Sequence, residues 1–530
     1  MTDLNERLFA NRQQMINLFA GIIVFIVNLC ISFFLTPYIV KQLGSAAYGF
    51  IGLSNNILSY AGLLTIAINS MAGRFVAIEV HCNNIAKANT YLSSVICANI
   101  VFSAIIMSGV FISGIFLEKL IHIPADLVHD VKMLYIMLGA STCLSLFTGV
   151  FGIATFITNR LDINHLRNII GNLIRGIFLF LLFTIFQPQI WYFGLCSLLM
   201  SIYLLVANIT LYHRLTPYLK IRQKFCKLKA LLNIAASGIW NIINKISNIL
   251  TRGCELLLAN LYVSSTSMGL LSIATTLGML VLSFFGMIAG NFAPALTRLY
   301  SVGNQSALKN EILKSIRLCG FLCSFPIAIL YAFGDLFFAL WVPGQNTELL
   351  YILSIVGTLE LLFGMPIEPL WNIFIITSKV KGSSLYQLFN SIITFITIIG
   401  LMYVTTDDSV KIIIVAGIHS VYCVIRNLTF LPIYGARCLN FKNSTFYPDL
   451  FRAILNTILV IAFGFSLKIL FFNRWFIFST PKVEDLTWAS LLLMATITFI
   501  GAILISNIIL LNPSDRIIIL DKIKNKLSRK

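Results

Sequence analysis

The chain has 530 residues, 58% of them hydrophobic and 11% charged, with a mean hydropathy of +0.90. That composition excludes a soluble domain and identifies a polytopic integral membrane protein. The formal charge of +18 comes with no basic, aromatic-interleaved motif, so nucleic acid is excluded as a partner and membrane lipid takes its place. What matters is where the Lys and Arg residues fall relative to the spans.

Met1 to Gln14 is polar with charges of both signs, and the apolar run after it outlasts a signal h-region without a small-residue cleavage site. An uncleaved first span follows. At about 18 to 25 apolar residues per span, the spans fall at 16–38, 47–72, 90–116, 132–157, 168–186, 190–212, 232–262, 267–296, 312–333, 349–377, 384–404, 410–435, 450–472 and 487–511. The fold class expected is therefore an all-α membrane protein of about 14 transmembrane helices. With the N-terminus in the cytosol, most Lys and Arg residues lie on the cytosolic side, and the outer loops hold acids such as Asp126, Asp130, Asp335, Asp407, Asp408 and Glu484. The bases place both termini inside.

Arg175 lies about two turns into the fifth span on one face with Asn168 and Asn172, too deep to snorkel easily and suited to line a cavity. Between the sixth and seventh spans, Arg214, Lys220, Arg222, Lys224, Lys227 and Lys229 form the densest basic segment. Positive-inside bias accounts for most of it, and attraction to anionic headgroups is a second role. This segment divides the chain into bundles at 1–213 and 231–436, joined by a linker at 214–230.

The seventh span is the most informative stretch. Asn233, Ser237, Asn241, Asn244, Lys245, Asn248, Arg252 and Glu255 fall within an arc of roughly 120° at 100° per residue. Each ionised side chain at mid-depth costs roughly 2.5–3.5 kcal/mol on insertion scales, so the arc must face protein or trapped water. A polar substrate path fits this better than an Arg252–Glu255 ion pair that merely holds helices together. Six spans per half return the chain to its starting side, so the seventh repeats the first in a parallel repeat. Ser45-Ala46-Ala47-Tyr48-Gly49-Phe50 aligns with Ser265-Thr266-Ser267-Met268-Gly269-Leu270 at an offset of 220. That offset sets Asn17, Gly21, Asn28 and Ser32 opposite Ser237, Asn241, Asn248 and Arg252.

Further along, Glu360 and Glu368 share the tenth span with Pro366 and Pro369, which should break the helix. Glu255, Glu360 and Glu368 are candidates either to bind a coupling H⁺ or Na⁺ or to serve as fixed counter-ions. Arg426 shares a face with His419 and Tyr422 and either lines the cavity or snorkels. Arg74 and Arg298, at the cytosolic ends of the second and eighth spans, are orientation signals that could also guide an anionic headgroup inward. The last two spans, within an added hairpin at 437–511, carry no charge beyond Arg452 at the start of the first and Lys468 near its outer end; they either face lipid or form an apolar groove for an isoprenoid tail. The tail at 512–530 alternates Ile and Leu with Lys as an interfacial amphipathic helix would.

The eleven cysteines imply no disulfide framework, and Cys319 and Cys323 read as small core residues rather than metal ligands. No paired-carboxylate, HExxH, CxxC or phosphate-loop pattern is present, so no catalytic or metal residue and no bound cofactor is expected. A transporter is expected instead, driven by an ion gradient, the membrane potential or the substrate's own gradient.

Leu35-Thr36-Pro37-Tyr38, Leu43-Gly44 and Tyr48-Gly49, with the Asn-rich second span (Asn55, Asn56, Asn69), resemble the polysaccharide transporters of the multidrug/oligosaccharidyl-lipid/polysaccharide (MOP) exporter superfamily. The resemblance extends over the six-plus-six repeat and the extra pair of spans; Ser45-Ala46-Ala47 departs from the Pro and acidic residues often found there. It implies a flippase that moves undecaprenyl-diphosphate-linked oligosaccharide across the bacterial inner membrane by alternating access between two six-helix bundles, for O-antigen, capsule or exopolysaccharide. Polysaccharide polymerases are the partners this implies. Lys245, Arg252, Arg175 and Arg426 would then meet the diphosphate, and Asn233, Asn241, Asn244 and Asn248 the sugar hydroxyls, with Asn28 lining the polar cavity beside them. A lipid II flippase, a cation-coupled drug exporter and a membrane glycan polymerase are the alternatives.

Overall fold

The computed structural model describes residues 2–290, 292–472 and 487–510. Among these residues the regular structure is helical throughout, without a strand. The helices used below are α1 (Thr2–Ala61), α2 (Leu63–His81), α3 (Ile85–Ile115), α4 (Val128–Phe151), α5 (Leu161–Ile185), α6 (Trp191–Leu215), α7 (Leu228–Asn248), α8 (Glu255–Tyr262), α9 (Ser265–Gly290), α10 (Gln305–Trp341), α11 (Thr347–Gly364), α12 (Val380–Val404), α13 (Asp408–Leu428), α14 (Tyr447–Phe472) and α15 (Trp488–Ile509). The amphipathic tail expected at 512–530 lies outside the described residues.

Thirteen helices among the described residues are long and apolar enough to cross a membrane. The first two expected spans meet inside α1, where Gly44 is non-helical at φ 85° and ψ 166°, a left-handed φ that favours glycine. The second span then continues into α2. The seventh expected span, 232–262, is not among the thirteen: its polar arc dilutes the hydropathy, and a π-helical turn at Ile249–Gly253 separates α7 from α8. The tenth span breaks where its prolines sit, passing from α11 into a 3₁₀ turn at Met365–Leu370.

The packing divides the chain into two compact units, residues 1–272 and 273–530. In the first, Leu92 and Val95 of α3 meet Val76 of α2, Val150 of α4, Tyr212 of α6 and Ile234 of α7 in one apolar core. The seventh helix thus packs within this unit, although the sequence repeat divides the chain ahead of it. Its approach to α2 is close, since a Cβ at Gly238 would collide with the Ala67 carbonyl. Asn241 adds a hydrogen bond from Nδ2 to Ser70 Oγ at 3.0 Å. At the far end, the His122 N–H donates to Asn260 Oδ1 at 2.8 Å and Asn260 Nδ2 donates back to the His122 carbonyl at 2.9 Å.

Repeat-equivalent residues touch. A Cβ on Gly49 would stand 2.8 Å from the Gly269 Cα, and one on Gly52 would stand 2.7 Å from Ser272 Oγ. Both pairs are 220 apart, the offset of the internal sequence match.

In the second unit α10 and α14 run side by side. Arg317 reaches Asp449 at 3.5 Å, Cys323 Sγ lies 4.0 Å from Thr457 Oγ1, and Lys468 Nζ lies 2.6 Å from Asp335 Oδ2. The partner numbers rise together at separations of 132 to 134, so the helices are parallel. Small residues permit the approach: a Cβ on Gly320 would meet Ala453 at 2.5 Å, and one on Gly464 would meet Ala332 at 2.9 Å. Asp335 was expected in an outer loop; it is instead inside α10 and 5% exposed, opposite Lys468 at 7%. Desolvation of either charge alone would be costly, and each provides the other's counter-charge. Cys319 and Cys323 are fully buried in this unit, as small core residues.

Candidate functional site

Along α7 and α8 the buried stripe is Ala230, Ile234, Gly238 and Ser247, while Asn233 and Asn248 are exposed and Asn241, Asn244, Lys245 and Arg252 are half-buried. The expected polar arc thus lies beside the packed stripe, with Asn233 and Asn248 outward, Asn241 bonded to Ser70 of α2 and Asn244 Oδ1 buried. Glu255, two residues beyond the π turn, is buried at 6% exposure. A π turn holds more than four residues, so positions after Gly253 rotate away from where an unbroken 100° wheel would put them. Arg252 and Glu255 therefore present themselves differently.

Tyr60 fixes this turn. Its hydroxyl donates to the Gly253 carbonyl at 2.7 Å, and the Cys254 N–H reaches back to the Ile249 carbonyl at 2.9 Å, the i to i+5 bond of the π geometry. Sequence reasoning missed Tyr60, because nothing local marks a partner 193 residues away.

Arg175 sits on the buried side of α5 beside Asn172. Its guanidinium lies 5.5 Å from the Phe193 ring centroid of α6, and its Nε is buried without a hydrogen-bond partner among the described residues. Asn168 and Asn172 use their amide N–H groups on their own helix, donating to the carbonyls four residues back. Asn28 is half-buried on α1. Near it, Cys30, Ile31, Phe34, Leu35 and Tyr38 face Leu173, Gly176, Ile177 and Phe180 of α5 across an apolar groove of about 370 Å³. Arg74 is exposed on α2.

The second unit gathers a separate cluster. Arg426 of α13 stacks over Trp371 at 5.6 Å and donates from Nε to Asn427 Oδ1 at 3.2 Å. Glu368, on the 3₁₀ turn, lies within electrostatic reach of Arg426. The proline break thus puts a carboxylate beside a cation of the same unit. Glu360 is 6% exposed within α11, and His419 is 1% exposed on the face of α13 expected to carry Arg426. Tyr422 turns its hydroxyl to Thr397 of α12 at 2.9 Å. Arg298 is exposed on the short helix Ala293–Ser301.

The basic segment after α6 is bound to α3 rather than hanging as a link. The Lys220 N–H donates to Asn89 Oδ1 at 2.8 Å, the Arg222 N–H to Ser93 Oγ at 3.2 Å and the Lys227 N–H to Ser94 Oγ at 2.9 Å. A disulfide joins Cys97 to Cys226, which corrects the expectation of unpaired cysteines. The signal was present as a polar stripe at positions 89, 93, 94 and 97, successive turns of one helix face.

Compared with known proteins, residues 16–300 match the family of polysaccharide biosynthesis proteins. The chain belongs to that family. It is 27% identical over 438 residues to the uncharacterized membrane protein EpsK of Bacillus subtilis (strain 168), covering 81% of this chain and 85% of EpsK. Among solved structures, an inward-facing multidrug resistance MATE family transporter of the MOP superfamily matches with a TM-score of 0.61 at 14% identity, over 78% of this chain and 98% of its own. Lipid II flippase MurJ in an inward closed conformation matches with a TM-score of 0.60 at 14% identity, over 93% and 98%. The fold of this polysaccharide biosynthesis family member is therefore that of the MOP-type transporters and flippases.

Proposed function

We propose that the protein flips undecaprenyl-diphosphate-linked oligosaccharide repeat units from the cytosolic to the outer leaflet of the bacterial inner membrane, by alternating access and for a surface polysaccharide. The observation that carries this reading is the half-polar seventh helix, on which Lys245 and Arg252 are half-buried and Asn233 and Asn248 exposed. Lys245, Arg252 and the buried guanidinium of Arg175 supply cationic donors suited to a diphosphate, and the asparagines supply amides suited to sugar hydroxyls. Arg426 would be the second unit's cation, with Glu368 as its counter-ion or as a proton or Na⁺ carrier, and Glu255 and Glu360 as further carriers. Arg74 and Arg298, both exposed, would meet the headgroup at the entrance.

The family match to polysaccharide biosynthesis supports a glycan cargo, and the fold shared with a lipid II flippase supports a lipid-linked one. That fold is shared equally with multidrug exporters, so the charge of the polar path carries the choice: an excess of Arg and Lys suits an anionic cargo and repels a cationic drug. The test is a deletion strain whose isoprenoid-diphosphate oligosaccharides are extracted and assigned to a leaflet. Complete repeat units held on the cytosolic side, with surface glycan lost, are expected. Single units accumulating on the outer leaflet would replace the flippase with a polymerase, and unchanged lipid-linked glycans would redirect the reading to drug export.

A further inference from the structure

The segment between α6 and α7 holds six cations and no acid over Arg214–Lys229, and it is ordered by its backbone rather than by its side chains. Asn89, Ser93 and Ser94, which are 7%, 0% and 0% exposed, accept the backbone N–H groups of Lys220, Arg222 and Lys227. Tyr212 donates to the Leu219 carbonyl at 2.8 Å, and the Cys97–Cys226 bond closes the far end. With the main chain held this way, the side chains of Lys220, Arg222, Lys224, Lys227 and Lys229 are all exposed. Arg222 is extended, at φ −145° and ψ 141°.

Its depth follows from α3. This helix has 31 residues, about 46 Å at 1.5 Å per residue, against a hydrocarbon core of about 30 Å. Its only charged residue, Lys87, stands in the first turn, with Asn89, Thr90, Ser93 and Ser94 close behind, which places those turns and the strap across them at the level of lipid headgroups. Between the cations stand exposed apolar side chains, Tyr218 at 39%, Ile221 at 37% and Leu228 at 72%. A membrane interface takes both kinds of group.

We propose that this strap is a fixed binding strip for the phosphate headgroups of resident anionic phospholipids. Lys220, Arg222 and Lys224 engage the phosphates, while Tyr218, Ile221 and Leu228 enter the acyl boundary. Cations spread along a strap suit several single-phosphate headgroups, since one diphosphate would engage only one or two of them. The proposal is independent of what the protein transports.

The test uses full-length protein in nanodiscs of phosphatidylcholine doped with phosphatidylglycerol, where orientation plays no part, and native mass spectrometry to count the phosphatidylglycerol retained. K220Q/R222Q/K224Q is expected to lower retention affinity by about fivefold per cation removed, and K220R/K224R to keep it. S93A/S94A leaves every charge in place but frees the strap, and should weaken retention less than the charge removal does. Retention unchanged in the triple variant would overturn the proposal, as would loss in the charge-conserving one. Displacement of phosphatidylglycerol by farnesyl diphosphate at equal concentration would also overturn it, assigning the strip to the diphosphate instead.

Discussion

At the scale of single residues, charge inside the second unit is placed in pairs. Lys468 and Asp335 bond at 2.6 Å with both side chains buried, so removing one partner strands the other. Lys468→Met alone is expected to cost roughly 3–5 kcal/mol, and K468M/D335L to recover most of it, because the pair repays little more than its own desolvation. Thermal unfolding of the four proteins in detergent completes the cycle. In the first unit, Lys245 and Arg252 are half-buried on the seventh helix. Arg252→Ala and Lys245→Ala should each weaken diphosphate binding about 10- to 100-fold, the effect of one charge-assisted hydrogen bond, with protein levels unchanged. Wild-type export of surface glycan by both variants would remove the cationic path from the mechanism.

At the scale of elements, the π turn between α7 and α8 decides which way Arg252 points. Tyr60→Phe removes the bond to the Gly253 carbonyl and is expected to let the turn relax toward α geometry, rotating α8 relative to α7. A spin-label pair at Asn248→Cys and Leu257→Cys, in a background free of other reactive thiols, should report a changed distance; an unchanged distribution would show that the turn is held without Tyr60. The contact of α1 with α9 at Gly49 and Gly269 is of another kind, a backbone approach that admits no side chain. A Cβ at Gly269 would collide with the Ser45 carbonyl, so Gly269→Leu should lower the unfolding temperature more than the same change at Gly109 or Gly400, where nothing lies within 4 Å.

At the scale of the whole molecule, the two packed units do not coincide with the two sequence repeats, because the seventh helix and the start of α9 pack within residues 1–272. The seventh helix carries most of the candidate polar path, and its attachment at Ala67, Ser70 and His122 is where that path is fixed to the first unit. The alternating access proposed above would require the polar face of this helix to meet water in at least one state. A cysteine at Asn248 should accordingly react with a membrane-impermeant thiol reagent, and the rate should change when lipid-linked oligosaccharide is supplied. No reaction under any condition would make the arc buried packing.

The sequence by itself determined the helical membrane fold, most of the spans and the run of polar residues along the seventh helix. Hydropathy and helical periodicity are local, and a bilayer enforces them along each span separately. It also gave the 220-residue offset, because repeated segments keep their turn residues. Only the tertiary structure decided who meets whom: Asp335 with Lys468, Tyr60 with Gly253, Asn260 with His122, and the basic segment laid along α3. Each of these joins residues more than a hundred positions apart, and hydrogen bonds and ion pairs depend on ångström-scale placement that one chain's periodicity does not encode. The π turn was hidden for the same reason, since its extra residue is stabilised by a hydroxyl from a distant helix.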